Sequence, residues 1–264
     1  MSRHFTVSDV AAAPSTTAAY EAPPKSGVRT SRLRSLEVVG REAYAIAKQS
    51  TLFYRDVREV VPRPRPGGDV VVLVHGLFQT AGVLRPVREH IARETGAETA
   101  SFSYATGPGV VRIADRLAEL MRELPSGIRI HLVGHSVGGL VVRWFVQELG
   151  RDERVVQTIS LGSPFSGTTH ARYFPTQVGR DIVPGSRLLA RLAAGARAGE
   201  RVPHLSITAT HDSVVPSGAV LSAGERLSID GCGHNGLIYH RAVAREIVRR
   251  VQTIQAAAEL CAGF

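Results

Sequence analysis

The sequence predicts an α/β architecture, with a mostly parallel central sheet, helices on both of its faces and a short lid insertion. Three observations carry this. Short β-branched runs, Asp69-Val70-Val71-Val72-Leu73-Val74 first among them, are nearly continuous in apolar residues, as strands covered on both faces must be. They alternate along the chain with segments of helical periodicity. The 264 residues, 44% of them hydrophobic, suffice for one large buried core.

Residues 1–34 are small, polar and proline-bearing, as in Ala11-Ala12-Ala13-Pro14-Ser15-Thr16-Thr17, and lack periodicity, so they are expected to be disordered. From Ser35 to about Val60, Leu36, Val39, Ala43, Ile46, Ala47 and Phe53 recur at three- and four-residue spacing. This predicts an amphipathic helix packed on the main domain. Pro62-Arg63-Pro64-Arg65-Pro66-Gly67-Gly68 closes the 35–68 segment as a stiff linker. The α/β domain follows over 69–254. After the strand at 69–74 come a helix from Val83 to Glu94, a strand from Glu98 to Ser103, and a helix from Val110 to Leu124. A strand beginning near Ile128 then runs directly into another helix, and Val155 to Leu161 is the next strand. An insertion over about 165–203 precedes two shorter strands, Leu205 to Ala209 and Arg226 to Ile229. Gly236 to about Val251 forms a closing helix, and 255–264 a tail.

The net charge is +9, carried almost wholly by arginine, with lysine only at Lys25 and Lys48. The arginines are scattered along helices without the clustering or aromatic interleaving of a nucleic-acid reader, so no nucleic-acid partner is expected. No apolar run is long enough for stable membrane insertion, which leaves transient contact with an anionic lipid surface open. The N-terminus lacks the basic-then-apolar pattern of an export signal, which predicts a cytoplasmic protein, or a secreted one if a signal has been removed. Cys232 and Cys261 allow at most one bridge and are expected as free thiols.

The chemistry concentrates where the strand from Ile128 meets its helix, at Gly134-His135-Ser136-Val137-Gly138. Glycines at 134 and 138 permit a turn too tight for ordinary side chains, with the Ser136 hydroxyl outward and the helix N-terminus beside it. The Val137 N–H then supplies one donor for a developing oxyanion. His75-Gly76-Leu77-Phe78, after the first buried strand, supplies a second through the Leu77 N–H. Ser136 needs a base, and the base needs a carboxylate to fix its tautomer. Among ten histidines, His234 has the right context, a glycine-rich loop (Asp230-Gly231-Cys232-Gly233-His234-Asn235-Gly236) after the last strand. For the acid, Asp212 directly follows a strand, with Asp230 and Glu225 as weaker substitutes. The chain order Ser136, Asp212, His234 is the one found around such elbows.

On these residues the chain resembles the α/β-hydrolase superfamily, and within it the small bacterial lipase/esterase group (triacylglycerol lipase-like). The resemblance runs from about Asp69 to Val251 and is most specific at His75-Gly76 and at Gly134-His135-Ser136-Val137-Gly138-Gly139. Leu161-Gly162-Ser163-Pro164-Phe165-Ser166-Gly167-Thr168 and Pro184-Gly185-Ser186-Arg187-Leu188-Leu189-Ala190-Arg191-Leu192 are also similar to segments of those lipases. What the resemblance implies is carboxylester hydrolysis by a triad of Ser136, Asp212 and His234.

In the insertion, Leu188, Leu189 and Leu192 share one side of a helix started by Ser186. They read either as cover for the sheet or as a lid whose underside lines an acyl pocket, with Phe78, Phe165 and Phe174 near its mouth. Both versions favour a small-molecule or lipid ester with a hydrophobic acyl chain. This chemistry needs no metal or organic cofactor. An acyltransferase or thioesterase using the same triad is the alternative, and a non-catalytic binding protein of this fold is a third reading.

Overall fold

A computed structural model describes residues 28–56, 58–150, 152–196, 201–216 and 219–262; the stretch expected to be disordered lies, up to residue 27, outside the described residues. Six strands, β1 (Asp69–Val74), β2 (Glu98–Ser101), β3 (Arg129–His135), β4 (Val155–Leu161), β5 (His204–Ala209) and β6 (Glu225–Ile229), form one parallel sheet. Their order is β2-β1-β3-β4-β5-β6. The chain steps one way from β1 to β2 and the other way from β3 onward, so the switch point lies between β1 and β3. Ligands of open α/β sheets bind in the crevice at the carboxyl ends of the strands at such a point. Every residue of β1 is buried, as its unbroken apolar run requires.

The sheet separates two apolar cores. Val70, Val72, Ile130 and Leu132 point to one side, where α3 (Val110–Glu123), α4 (Val137–Glu148) and α6 (Arg187–Gly195) cover them. Val71, Leu73, Val133, Ile159 and Ile207 point to the other, beneath α2 (Arg85–Thr95), α7 (Gly236–Tyr239) and α8 (Arg241–Ala262). A short helix, α5 (Gln177–Asp181), completes the insertion. At the amino ends of the strands, Asp69 accepts from Arg129 at 2.8 and 2.7 Å and from His131 at 3.1 Å. Burial pushes the Asp69 carboxyl up, but these donors outweigh it and hold the pKa at about 2.

The elements agree with the sequence reading except at the ends of the chain. The closing helix is two helices, broken at His240, and α8 runs to Ala262 through most of the expected tail. The first helix, α1, spans Val28–Leu52, so it begins before Ser35 and stops short of Val60. It is also turned over relative to the expectation. Leu36 is 68% exposed, Val39 64% and Ile46 51%, and Ala43 and Ala47 also face out. The face laid on the domain carries Val38, Glu42, Ala45, Gln49 and Leu52. The reason is polar docking: Glu42 and Gln49 hydrogen-bond to Asn235, and Thr80 Oγ1 donates to the Phe53 carbonyl at 2.7 Å. Just before the linker, Val60 forms a bridge with Ser101 of β2. Both cysteines are free, Cys232 buried and Cys261 exposed.

Candidate active site

The turn from β3 into α4 places Ser136 at φ 53° and ψ −123°. Of the described residues other than glycine, it shares a positive φ only with Asp56 and Phe78. A backbone held there costs on the order of 1–3 kcal/mol and persists because the surroundings leave no alternative. The flanking glycines are part of those surroundings. A Cβ on Gly134 would lie 2.3 Å from the Gly138 carbonyl group, and one on Gly138 would lie 2.2 Å from the Val74 oxygen. The Ser136 N–H is tied to the Leu161 carbonyl at 2.8 Å, which anchors the turn to β4.

The loop after β1 lies directly against this turn. A Cβ on Gly76 would come within 2.9 Å of the Ser136 Cβ. Gln79 shapes the loop, its Oε1 accepting from the Gly76 N–H at 2.9 Å. Phe78 follows at φ 55°, 60% exposed, with its ring 5.3 Å from that of Phe174. Among the described residues neither the Leu77 N–H nor the Val137 N–H has a hydrogen-bond partner. These are the two donors that the sequence singled out.

Asp212 and His234 come from the loops after β5 and β6. Asp212 Oδ1 accepts from the N–H groups of Val214 at 2.9 Å and Val215 at 2.7 Å, and Oδ2 accepts from His234 Nδ1 at 2.8 Å. Both side chains are nearly removed from solvent. With Nδ1–H committed to the carboxylate, Nε2 is left as the accepting nitrogen. The alternative acids lie elsewhere: Asp230 accepts from Thr210 Oγ1, and Glu225 pairs with Arg250. Gly162, at φ 57°, packs on the His–Asp pair. A Cβ there would lie 3.2 Å from His234 Nδ1 and 3.3 Å from Asp212 Oδ2. This role could not be read from the residues alone, because the close approach joins loops from three separate strands.

Ser136 and His234 open onto one cleft of about 400 Å³. Its apolar wall comes from Ile46 of α1 and Phe53 just beyond it, together with Leu77, Phe78, Phe174 and Ile182. The expected acyl-binding residues divide here. Phe78 lines the cleft, whereas Phe165, Leu188, Leu189 and Leu192 are buried in the core and absent from its lining. Ser186 does start α6, accepting from the Leu189 N–H at 3.2 Å, but the apolar underside of the helix packs on α4. Burying that stripe against α4 leaves nothing of it to face a ligand. The cleft wall takes Ile46 from α1 and Phe174 and Ile182 from parts of the insertion outside α6.

Two more histidines are buried near the Ser136 turn, and of these only His135 lines the cleft. His75 donates from Nδ1 to the Gly76 carbonyl at 2.7 Å, accepts the Tyr104 N–H at Nε2, and stacks on the Tyr104 ring. His135 spans Gln79 Oε1 at 3.1 Å and the His234 carbonyl at 3.2 Å. Burial drives the His75 pKa down to about 4 against the pull of its Gly76 bond. Burial, then the neighbouring His234, drives His135 well below its ordinary value. An unfolded histidine takes up its proton near 6.5, so between about 6.5 and 4 the unfolded chain binds more protons than the folded one. The stability held by neutral His75 is therefore complete above pH 6.5 and drains away as the pH falls, by about 1.4 kcal/mol per unit for this one residue. We expect the melting temperature, followed by circular dichroism, to be level from pH 8 to 6.5 and to fall steadily toward pH 4. A level profile down to pH 4.5 would contradict a buried neutral His75.

Among the described residues, no group of three or more His, Cys, Asp or Glu side chains is placed to hold a metal ion, and no helix is long and apolar enough to cross a membrane.

The family model for palmitoyl protein thioesterase matches residues 70–201, half of the chain, from β1 to just before β5. No curated protein matches the sequence. Solved structures similar to this one include the mature form of the Bacillus licheniformis lipase BlEst2, at 14% identity and TM-score 0.56, covering 73% of this chain and 95% of that one. The Paleococcus ferrophilus monoacylglycerol lipase is similar at 17% identity and TM-score 0.52, with coverage of 70% and 96%. A structure of the metagenome-derived lipolytic enzymes LipS and LipT aligns at 14% identity and TM-score 0.56, with coverage of 75% and 98%. At these identities what is shared is the fold, that of the α/β hydrolases.

Proposed function

The chain belongs to the palmitoyl protein thioesterase family, and from that premise we propose that it is a serine hydrolase cleaving esters or thioesters of hydrophobic acyl chains. The observation that carries this reading is the hydrogen bond from His234 Nδ1 to Asp212, made beside a strained Ser136 in an apolar cleft. In the proposed cycle Ser136 Oγ attacks the acyl carbonyl while His234 Nε2 takes its proton. Asp212 stabilises the imidazolium, and the N–H groups of Leu77 and Val137 receive the oxyanion. Collapse expels the alcohol or thiol, to which His234 returns the proton. A water molecule activated by the same histidine then releases the acid from Ser136.

Two leaving groups fit this site. The lipase and monoacylglycerol lipase relatives favour an oxygen ester, and the family model favours a sulfur ester. The discriminating measurement uses matched oxygen and sulfur esters from two to sixteen carbons. Each methylene buried against Ile46, Phe53 and Phe174 contributes about 0.8 kcal/mol, or roughly fourfold in kcat/KM, until the cleft is full. We expect kcat/KM to climb with chain length in both series, and the steeper and faster series identifies the physiological bond. Acyl transfer to added alcohol in excess of hydrolysis would assign a transferase instead. Equal turnover of acetate and long-chain esters would remove the apolar cleft from the account.

A further inference from the structure

We propose that α1 is a working part of the site rather than a cover, and that Glu42 is a positioning residue for the His234 loop. The proposal rests on reading His234 as the general base. Glu42 sits on the inward face of α1, and its carboxylate gathers three donors from the two residues after His234. Oε1 accepts from the Asn235 N–H at 2.7 Å and from Asn235 Nδ2 at 2.8 Å, and Oε2 accepts from the Gly236 N–H at 2.9 Å. Hydrogen bonds to a charged acceptor are about twice as strong as neutral ones, and three on one carboxylate fix both its place and that of the loop.

The glycine-rich character of the loop follows from the same contact. A Cβ on Gly233 would lie 2.5 Å from Glu42 Oε2, and one on Gly236 would lie 3.3 Å from it. The loop is bare on both sides of His234 where the carboxylate closes on it. Opening α7 with two N–H groups aimed at a glutamate also caps that helix, whose own N-cap residue Asn235 makes no side-chain cap bond.

The contact does not end at the base. The Asn235 amide oxygen accepts from Gln49 Nε2 at 3.0 Å, and Gln49 Oε1 accepts from Gln79 Nε2 at 3.2 Å. Gln79 Oε1 in turn holds the Gly76 N–H, one residue before Leu77. One line of hydrogen bonds thus runs from the His234 loop through α1 to the loop that carries the Leu77 N–H. Glu42 and Gln49, one helix face apart by seven residues, set the spacing between base and oxyanion site. Displacing catalytic groups by about 1 Å typically costs on the order of 10²-fold in rate.

The test measures ester hydrolysis by the full chain with Glu42→Ala, Glu42→Gln and, on the outward face of α1, Val39→Ala. With Glu42→Ala we expect kcat to fall by about 10²-fold with KM within about twofold. The downfield proton NMR signal of His234 Nδ1–H on Asp212 should be lost, and fluorophosphonate labelling of Ser136 slowed in step with kcat. Glu42→Gln keeps the shape and one acceptor oxygen, so an intermediate loss is expected, and Val39→Ala should match the parent. Should Glu42→Ala unfold, Glu42→Gln carries the test. Parental kcat together with the parental downfield signal in a folded Glu42→Gln protein, or in a folded Glu42→Ala protein, would overturn the positioning role while leaving the hydrolase reading intact. Full turnover by Ser136→Ala would instead bring down that underlying reading.

Discussion

Ser136→Ala is expected to lower kcat for acyl ester hydrolysis by about 10⁶-fold, the scale of loss when the nucleophile of a serine hydrolase is removed. The fold should survive this change. Ser136 makes no side-chain cap bond to α4, and the strain at φ 53° belongs to the backbone, which alanine inherits unchanged. The melting temperature should therefore stay close to that of the parent, and the loss can be assigned to the missing hydroxyl. Turnover and thermal unfolding on the same preparation check both halves. Retention of activity by a folded Ser136→Ala protein would place the nucleophile elsewhere.

Asp212→Asn should cost about 10⁴-fold in kcat. Asp212 accepts from Val214, Val215 and His234, so the isosteric amide can keep the two backbone contacts with its oxygen. Its NH₂ group then faces His234 Nδ1 and favours the tautomer that carries hydrogen on Nε2. That nitrogen can no longer take a proton from Ser136. Asp230→Asn and Glu225→Gln, whose partners are Thr210 and Arg250, should leave kcat near the parental value. A loss of similar size at either of those positions, with Asp212→Asn active, would move the acid.

The strands and the turn around Ser136 were legible because their signals are local. A β-branched run must be buried, and glycines two residues either side of a serine have a steric meaning that the 2.3 and 2.2 Å approaches make explicit. That the Ser136 turn and the loops of Asp212 and His234 lie along one edge could be expected from strand ends in a parallel sheet, since all carboxyl ends share one edge. What escaped was the direction in which amphipathic helices face. On α1 the spacing of Leu36, Val39 and Ile46 suggested an inward stripe, yet the helix is held by Glu42 and Gln49, whose partner Asn235 lies nearly two hundred residues away. On α6 the leucines were rightly apolar and inward, but whether they meet α4 or a ligand depends on how the insertion folds back.

Glu42 and Asn235 stand 193 positions apart in the sequence, which bears on the order of assembly. Contacts of such separation close late, because the intervening chain must first be ordered. During synthesis the amino-terminal parts emerge first. On the proposed assignment, a chain extended only through β4 would carry Ser136 and the Gly76 loop but neither Asp212 nor His234. The contact of residues 235 and 236 with Glu42 can form only after most of the chain has been made. With Asp212 and His234 as the proposed acid–base pair, a nascent or interrupted product that ends before them is expected to be hydrolytically silent.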